Sequence, residues 1–197
     1  YHGAPRDLLG PGRGAPGANG GGYGGRGGGV GGGGTYGDAR LPLQPGSAAG
    51  WNGYGGPQGH TIGGNGGGVV HLLAGGAMRL DGLLAADGGS GGYYNGGGGS
   101  GGAVLVAAPR IDGYGRLSAR GGNAHRAEGS GGGGRICVWQ GIALADAEAR
   151  LARGDAGAMR SGAIPATLRL DVAPGGAPSG PETAPAAGTC EVLEPVP

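Results

Sequence analysis

The sequence predicts an all-β chain: a β-solenoid of parallel β-helix-like repeats with glycine-rich walls and one short helix near residues 143–153. Three observations carry that expectation. Glycine supplies 59 of the 197 residues, in runs such as Gly24-Gly25-Arg26-Gly27-Gly28-Gly29 and Gly96-Gly97-Gly98-Gly99-Ser100-Gly101-Gly102. Short apolar words stand between the runs, too brief for helices and without helical spacing. The words also recur in a fixed order, the mark of a repeat architecture.

Taken from the N-terminus, residues 1–68 are dominated by glycine with scattered aromatics, and read as the N-terminal part of the solenoid. Residues 69–172 read as its repeated core. The word Val69-Val70-His71-Leu72-Leu73 returns as Ala103-Val104-Leu105-Val106-Ala107 after 34 residues, and as Arg135-Ile136-Cys137-Val138-Trp139 after a further 32. A second word, Met78-Arg79-Leu80-Asp81-Gly82, matches Pro109-Arg110-Ile111-Asp112-Gly113. A third, Leu84-Ala85-Ala86-Asp87-Gly88-Gly89, matches Leu117-Ser118-Ala119-Arg120-Gly121-Gly122. Both faces of the first word lean apolar, as expected of strands covered on two sides.

Ala143–Arg153 is rich in good helix formers and meets a stop at Gly154. Leu168, Leu170 and Val172 alternate as a last strand. Residues 173–197 are rich in Pro, Ala and Gly and read as a tail or linker. The glycine runs have three forms open to them: disordered loop, extended strands packed face to face, or polyglycine II helices with three residues per turn. Collagen is excluded, because runs of four glycines break its strict three-residue period.

Composition also bounds function. The net charge is +1, Lys is absent, and the 14 Arg are spread along the chain. No basic patch for nucleic acid and no basic membrane arm is expected. No apolar run approaches a membrane span, so direct membrane insertion is not expected. The chain begins at Tyr1 without Met, charged leader or apolar signal core, as expected of a matured product or a piece of a longer chain.

A Walker-type phosphate loop requires Lys and is ruled out, and GxGxxG matches carry no weight at this glycine content. His2, His60, His71 and His125 are isolated, without metal-site spacing, so no metal or cofactor is expected. Asp81 and Asp112 hold equivalent places and could meet as paired carboxylates, but Asp-Gly is a turn signal first. No catalytic residue is assigned. Cys137 and Cys190 are the two cysteines, and an intrachain disulfide between them is expected over a buried thiol at Cys137 with an unrelated Cys190. Tyr36, Trp51, Tyr54, Tyr93 and Tyr94, set among glycines, are candidates for stacking on sugar rings, against the plainer role of capping the glycine-rich layer.

The words Gly101-Gly102-Ala103-Val104-Leu105-Val106, Leu117-Ser118-Ala119-Arg120-Gly121-Gly122-Asn123 and Gly131-Gly132-Gly133-Gly134-Arg135-Ile136 follow one another in an order that resembles a glycine-rich repeat region of large bacterial and algal or protist surface proteins. Gly22-Tyr23-Gly24-Gly25-Arg26-Gly27-Gly28 and Gly33-Gly34-Thr35-Tyr36-Gly37-Asp38 match its opening. The resemblance covers residues 20–140 and implies a secreted scaffold or adhesion region; it transfers no catalytic residues.

The function expected is therefore a non-enzymatic structural module of an extracellular filament, adhesin or surface protein. Self-association or other surface subunits would be its partners. The alternative is a carbohydrate-binding or carbohydrate-cleaving β-helix with a polysaccharide partner.

Overall fold

The computed structural model describes residues 10–50, 63–92, 96–125, 129–163, 167–176 and 184–196. The apolar words form strands and pair in parallel at the repeat spacing. β1 (Val69–Leu73) lies against β4 (Ala103–Ala108) with Val69 opposite Ala103, and β4 against β7 (Arg135–Gln140) with Ala103 opposite Arg135. The second words form β2 (Ala77–Arg79) and β5 (Arg110–Asp112), and the third words β3 (Leu83–Ala85) and β6 (Arg116–Ser118), each pair parallel. After β7 come α1 (Leu144–Arg153), β8 (Met159–Ser161), β9 (Arg169–Asp171) and β10 (Thr189–Pro195). Among the described residues three sheets result, ordered β1-β4-β7-β10-β8, β2-β5 and β3-β6-β9.

This corrects the expected all-β solenoid: the chain is mixed α/β, parallel sheets with a helix, and no solenoid is evident. The third unit is where the expectation fails. Beyond β7 no third copy of the second word follows; α1 takes its place in the chain, and β8 returns antiparallel to β10. The sheets therefore hold five, two and three strands, and no uniform coil can be drawn through them. α1 is a packing layer. Its Ala147 is buried with Ile142, Trp139 and Met159, and Gly154 ends it with φ 68°, donating back to Arg150 and Leu151.

Within the stretch read as a tail or linker, Thr189–Pro195 form β10, which sits beside β7 in the largest sheet, with Cys190 opposite Ile136 and Val192 opposite Val138. That sheet is covered on both faces. Val104, Val106, Ile136, Val138 and Val192 join Met78, Ile111, Leu117 and Leu168 in one core between the three sheets. Leu105, Ala107, Cys137, Trp139 and Leu193 join Leu41, Ile142, Ala147 and Met159 in a second core on the other face. Every residue of β4 is buried, as parallel strands require.

Helix and strand account for 6% and 26% of the described residues, so most of the order lies elsewhere. It lies in the glycine runs, which form a bundle of extended segments bonded main chain to main chain. Residues 96–102 lie at its centre. Gly98 and Gly101 donate to Gly129 and Gly132 of one neighbour, Gly99 and Gly102 to Gly89 and Ala86 of a second, and Ser100 to Ser47 of a third. Donors three residues apart thus serve the same neighbour, the period of an extended helix with three residues per turn. Carbonyls of the same segment accept from Gly21, Gly64, Gly67 and Gly122, which brings its neighbours to six.

Residues 129–134 repeat the pattern. Gly129 and Gly132 donate to Ala18 and Gly21, Gly131 and Gly134 to Gly122 and Ala119, and Gly133 to Ala186. Buried Ser47, Ser100 and Ser130 fit because their hydroxyls bond into the bundle: the Ser47 N–H donates to Ser100 Oγ at 2.8 Å.

Candidate functional site: an open sheet edge and its cleft

The five-stranded sheet has two unlike ends. At the β1 end, Ala103 N–H donates to the Gly68 carbonyl and Ala74 N–H to the Ala107 carbonyl. Backbone groups alternate along a strand, so residues 68, 70, 72 and 74 turn toward β4. Those of Val69, His71 and Leu73 turn outward, and among the described residues no backbone group bonds them. The same alternation turns Ala77 and Arg79 of β2, and Leu83 and Ala85 of β3, away from their partners, since Leu80 donates to Asp112 and Ala86 to Ser118. Among the described residues all three sheets therefore open on their first strands. Leu83 stands 63% exposed there.

The other end of the large sheet is formed by the short antiparallel strand β8. β8 pairs with the second half of β10 through Leu193, Glu194 and Pro195, and Gly162 N–H donates to the Val192 carbonyl at 2.7 Å.

A strap formed by residues 35–47 runs over the second core and reaches the open edge. Leu41 is buried in that core, and the Arg40 carbonyl accepts from Trp139 Nε1 at 3.0 Å and from Cys137 Sγ at 3.3 Å. Arg135 anchors the strap's start. The residue is 7% exposed; its guanidinium donates to the Tyr36 carbonyl at 2.7 and 3.0 Å and to Thr189 Oγ1 at 2.9 Å, and its Cζ lies 5.2 Å from the centre of the Tyr23 ring. Among the described residues no carboxylate pairs with it; carbonyl dipoles and an aromatic face take that role. Tyr23 is wholly buried, and burial raises its phenol far above the ordinary range. Further along, the strap and β1 enclose a cleft of about 420 Å³ lined by Leu43, Gln44, Pro45, Val69 and His71. His71 Nε2 lies 3.2 Å from the Pro42 carbonyl.

The residues singled out by sequence are scattered with respect to this edge. Tyr36 is half-buried and committed: its ring centre lies 4.7 Å from that of Tyr23, and its hydroxyl lies 2.5 Å from the Pro45 carbonyl and 2.8 Å from Ser47 Oγ. It fastens the strap. Trp51, Tyr54, Tyr93 and Tyr94 lie outside the described residues.

The expected Cys137–Cys190 disulfide is corrected, since both thiols are free. Register explains why. Cys137 lies opposite Glu191 and Cys190 opposite Ile136, so the two side chains point to opposite faces of the sheet. Burial pushes the Cys137 thiol up to about 12; desolvation, then the Asp171 and Glu191 carboxylates, raise Cys190 to about 11. Neither is a reactive thiolate at neutral pH.

Asp81 and Asp112 are each engaged by an arginine two residues earlier. Arg79 Nε lies 2.6 Å from Asp81 and Arg110 Nε 3.4 Å from Asp112, while Asp81 also accepts the Tyr114 N–H at 3.1 Å. The Arg79 hydrogen bond lowers the Asp81 carboxyl. That is turn chemistry, the reverse of what a general acid needs.

Sequence reasoning missed the strap and the Tyr23–Arg135 stack. The signal available was an Arg heading an otherwise apolar word, which asks for an acceptor indoors. Among the described residues no group of three or more His, Cys, Asp or Glu could hold a metal, and no helix is long and apolar enough to cross a membrane. Comparison with protein-family models, curated proteins and solved structures found no match.

Proposed function

We propose that this chain is a non-catalytic assembly module of a secreted or cell-surface protein, working by adding β-structure at an open edge. One observation carries the reading: among the described residues, the first strands of all three sheets turn backbone donors and acceptors outward, while the far end of the largest sheet is the three-residue antiparallel strand β8. Open edges with apolar side chains are templates for strand addition.

The order of glycine-rich words, which resembles surface-protein repeats, supports the secreted or surface setting. The glycine bundle supports a mechanical role, because it ties distant stretches together and leaves few side chains for chemistry. Subunits of the same surface assembly, or further copies of this chain, are the partners the edge would take. The sugar-stacking alternative draws no support from Tyr36, whose ring and hydroxyl are engaged.

Light scattering across a wide concentration series tests the reading. A mass that rises with concentration is expected. A mass fixed at that of one chain throughout, with no strand-like peptide retained in solution, would overturn it.

A further inference from the structure

The open edge is self-complementary. We propose that β1 pairs antiparallel with β1 of a second copy of this chain, about a two-fold axis at His71, and so closes the molecule into a dimer; this rests on the assembly reading above. The outward backbone groups belong to Val69, His71 and Leu73, at alternate positions with His71 in the middle. In an antiparallel ladder, two facing residues of this kind exchange both of their bonds. With His71 opposite His71, Val69 of each copy meets Leu73 of the other, and all three outward donors and acceptors on each strand are satisfied.

The side chains agree with that register. Val69-Val70-His71-Leu72-Leu73 reads apolar, apolar, His, apolar, apolar in either direction, so self-pairing sets no charge against a hydrocarbon. Val70 and Leu72 are half-buried and pack against the core between the sheets; a second strand would set Leu72 and Val70 of its own beside them and continue that core across the axis. On the other face, the cleft between Leu43, Pro45 and Val69 lies where Leu73 of the second copy would arrive.

The far end of the sheet argues against an open chain of subunits. The strand at that end is the three-residue, antiparallel β8, whose Met159 carbonyl already accepts from the Arg40 guanidinium at 2.9 Å, so head-to-tail growth onto the five-residue β1 meets a short, partly engaged edge. Only the two-fold arrangement uses the same surface on both copies and closes.

The test is the mass of the full chain by light scattering after gel filtration, with three variants. In the wild type a dimer is expected. His71→Pro removes an outward N–H and spares the bonds to β4, and His71→Lys sets two ammonium groups face to face; each is expected to raise the dimer dissociation constant about tenfold or more. His71→Cys in a Cys190→Ser background is expected to give a disulfide-linked dimer under mild oxidation, because facing residues of such a pair stand about 5.5 Å apart at Cα. Should His71→Pro fail to fold, judged by Trp139 fluorescence, the Lys and Cys variants decide. Larger species that persist in all three variants, without cross-linking, would overturn the β1 dimer and leave assembly through another surface standing. A single-chain mass at every concentration would overturn both.

Discussion

A methyl group on Gly98 would stand 1.9 Å from the Gly122 carbonyl oxygen, and one on Gly131 equally close to that of Gly99. In both cases the obstacle is backbone, which cannot rotate away. Gly98→Ala or Gly131→Ala should therefore cost about 3 kcal/mol or more, through overpacking and the loss of at least one buried hydrogen bond. Gly76→Ala and Gly82→Ala, where nothing lies within 4 Å, should stay within about 0.5 kcal/mol of the wild type. Urea midpoints would check the contrast, and equal effects at all four positions would refute close packing of the bundle. Buried thiols and phenols set a second expectation. Burial holds Cys137 near 12 in the folded chain against an ordinary value of 9.0, so the folded state keeps its proton where the unfolded state loses it. Its contribution is thus whole below pH 9 and lost as pH rises toward 12, with Tyr23 acting in the same sense. Cys137→Ala should flatten the alkaline limb of a stability–pH profile, and a limb of unchanged slope would refute the assignment.

Elements differ in how plainly the sequence announces them. β4 and β7 were legible as continuous apolar words, because strands covered on both faces need no alternation. The helix was legible from Leu144 to Arg153, with its end marked by a single glycine. Gly154 sits at φ 68° with open space around its Cα, so Gly154→Ala should cost about 1 kcal/mol from backbone conformation alone. A shift in thermal midpoint of a few degrees would show it. β10 was hidden: Thr189-Cys190-Glu191-Val192-Leu193 follows a stretch of Pro and Ala that suggests a linker, and its neighbours β7 and β8 make it a strand. The disulfide expectation failed for a related reason. Cysteine number is visible in sequence, but which face of a sheet each thiol occupies depends on register, and register belongs to the pair of strands. Arg135 was visible as a residue but silent as an anchor, because its acceptor is the Tyr36 carbonyl, 99 residues away.

For the whole molecule, the repeat spacing foretold which strands pair and failed to foretell the class. The words of two units are alike, yet the third is interrupted by α1 and β8, and apolar pattern alone does not say where a repeat is abandoned. The mutual arrangement of the glycine segments could not be read at all. A glycine carries no side chain to mark its neighbour, so the six partners of residues 96–102 follow from the strands that flank each run. The candidate site was half legible: Val69–Leu73 stood out as a strand, while its place at an edge depended on what failed to pair with it. That same bundle gives the molecule an unusual thermal character. Its interior is amide packed on amide, and unfolding it wets peptide groups far more than hydrocarbon. Exposed polar surface lowers the heat capacity that apolar surface raises. Scanning calorimetry should therefore give a heat-capacity increment on unfolding below the usual ~12–15 cal/mol/K per residue. Stability would then vary little between the cold and the melting point, and a typical increment would contradict the amide-rich interior. A protein held together in this way trades the steep temperature response of an oily core for a nearly level one.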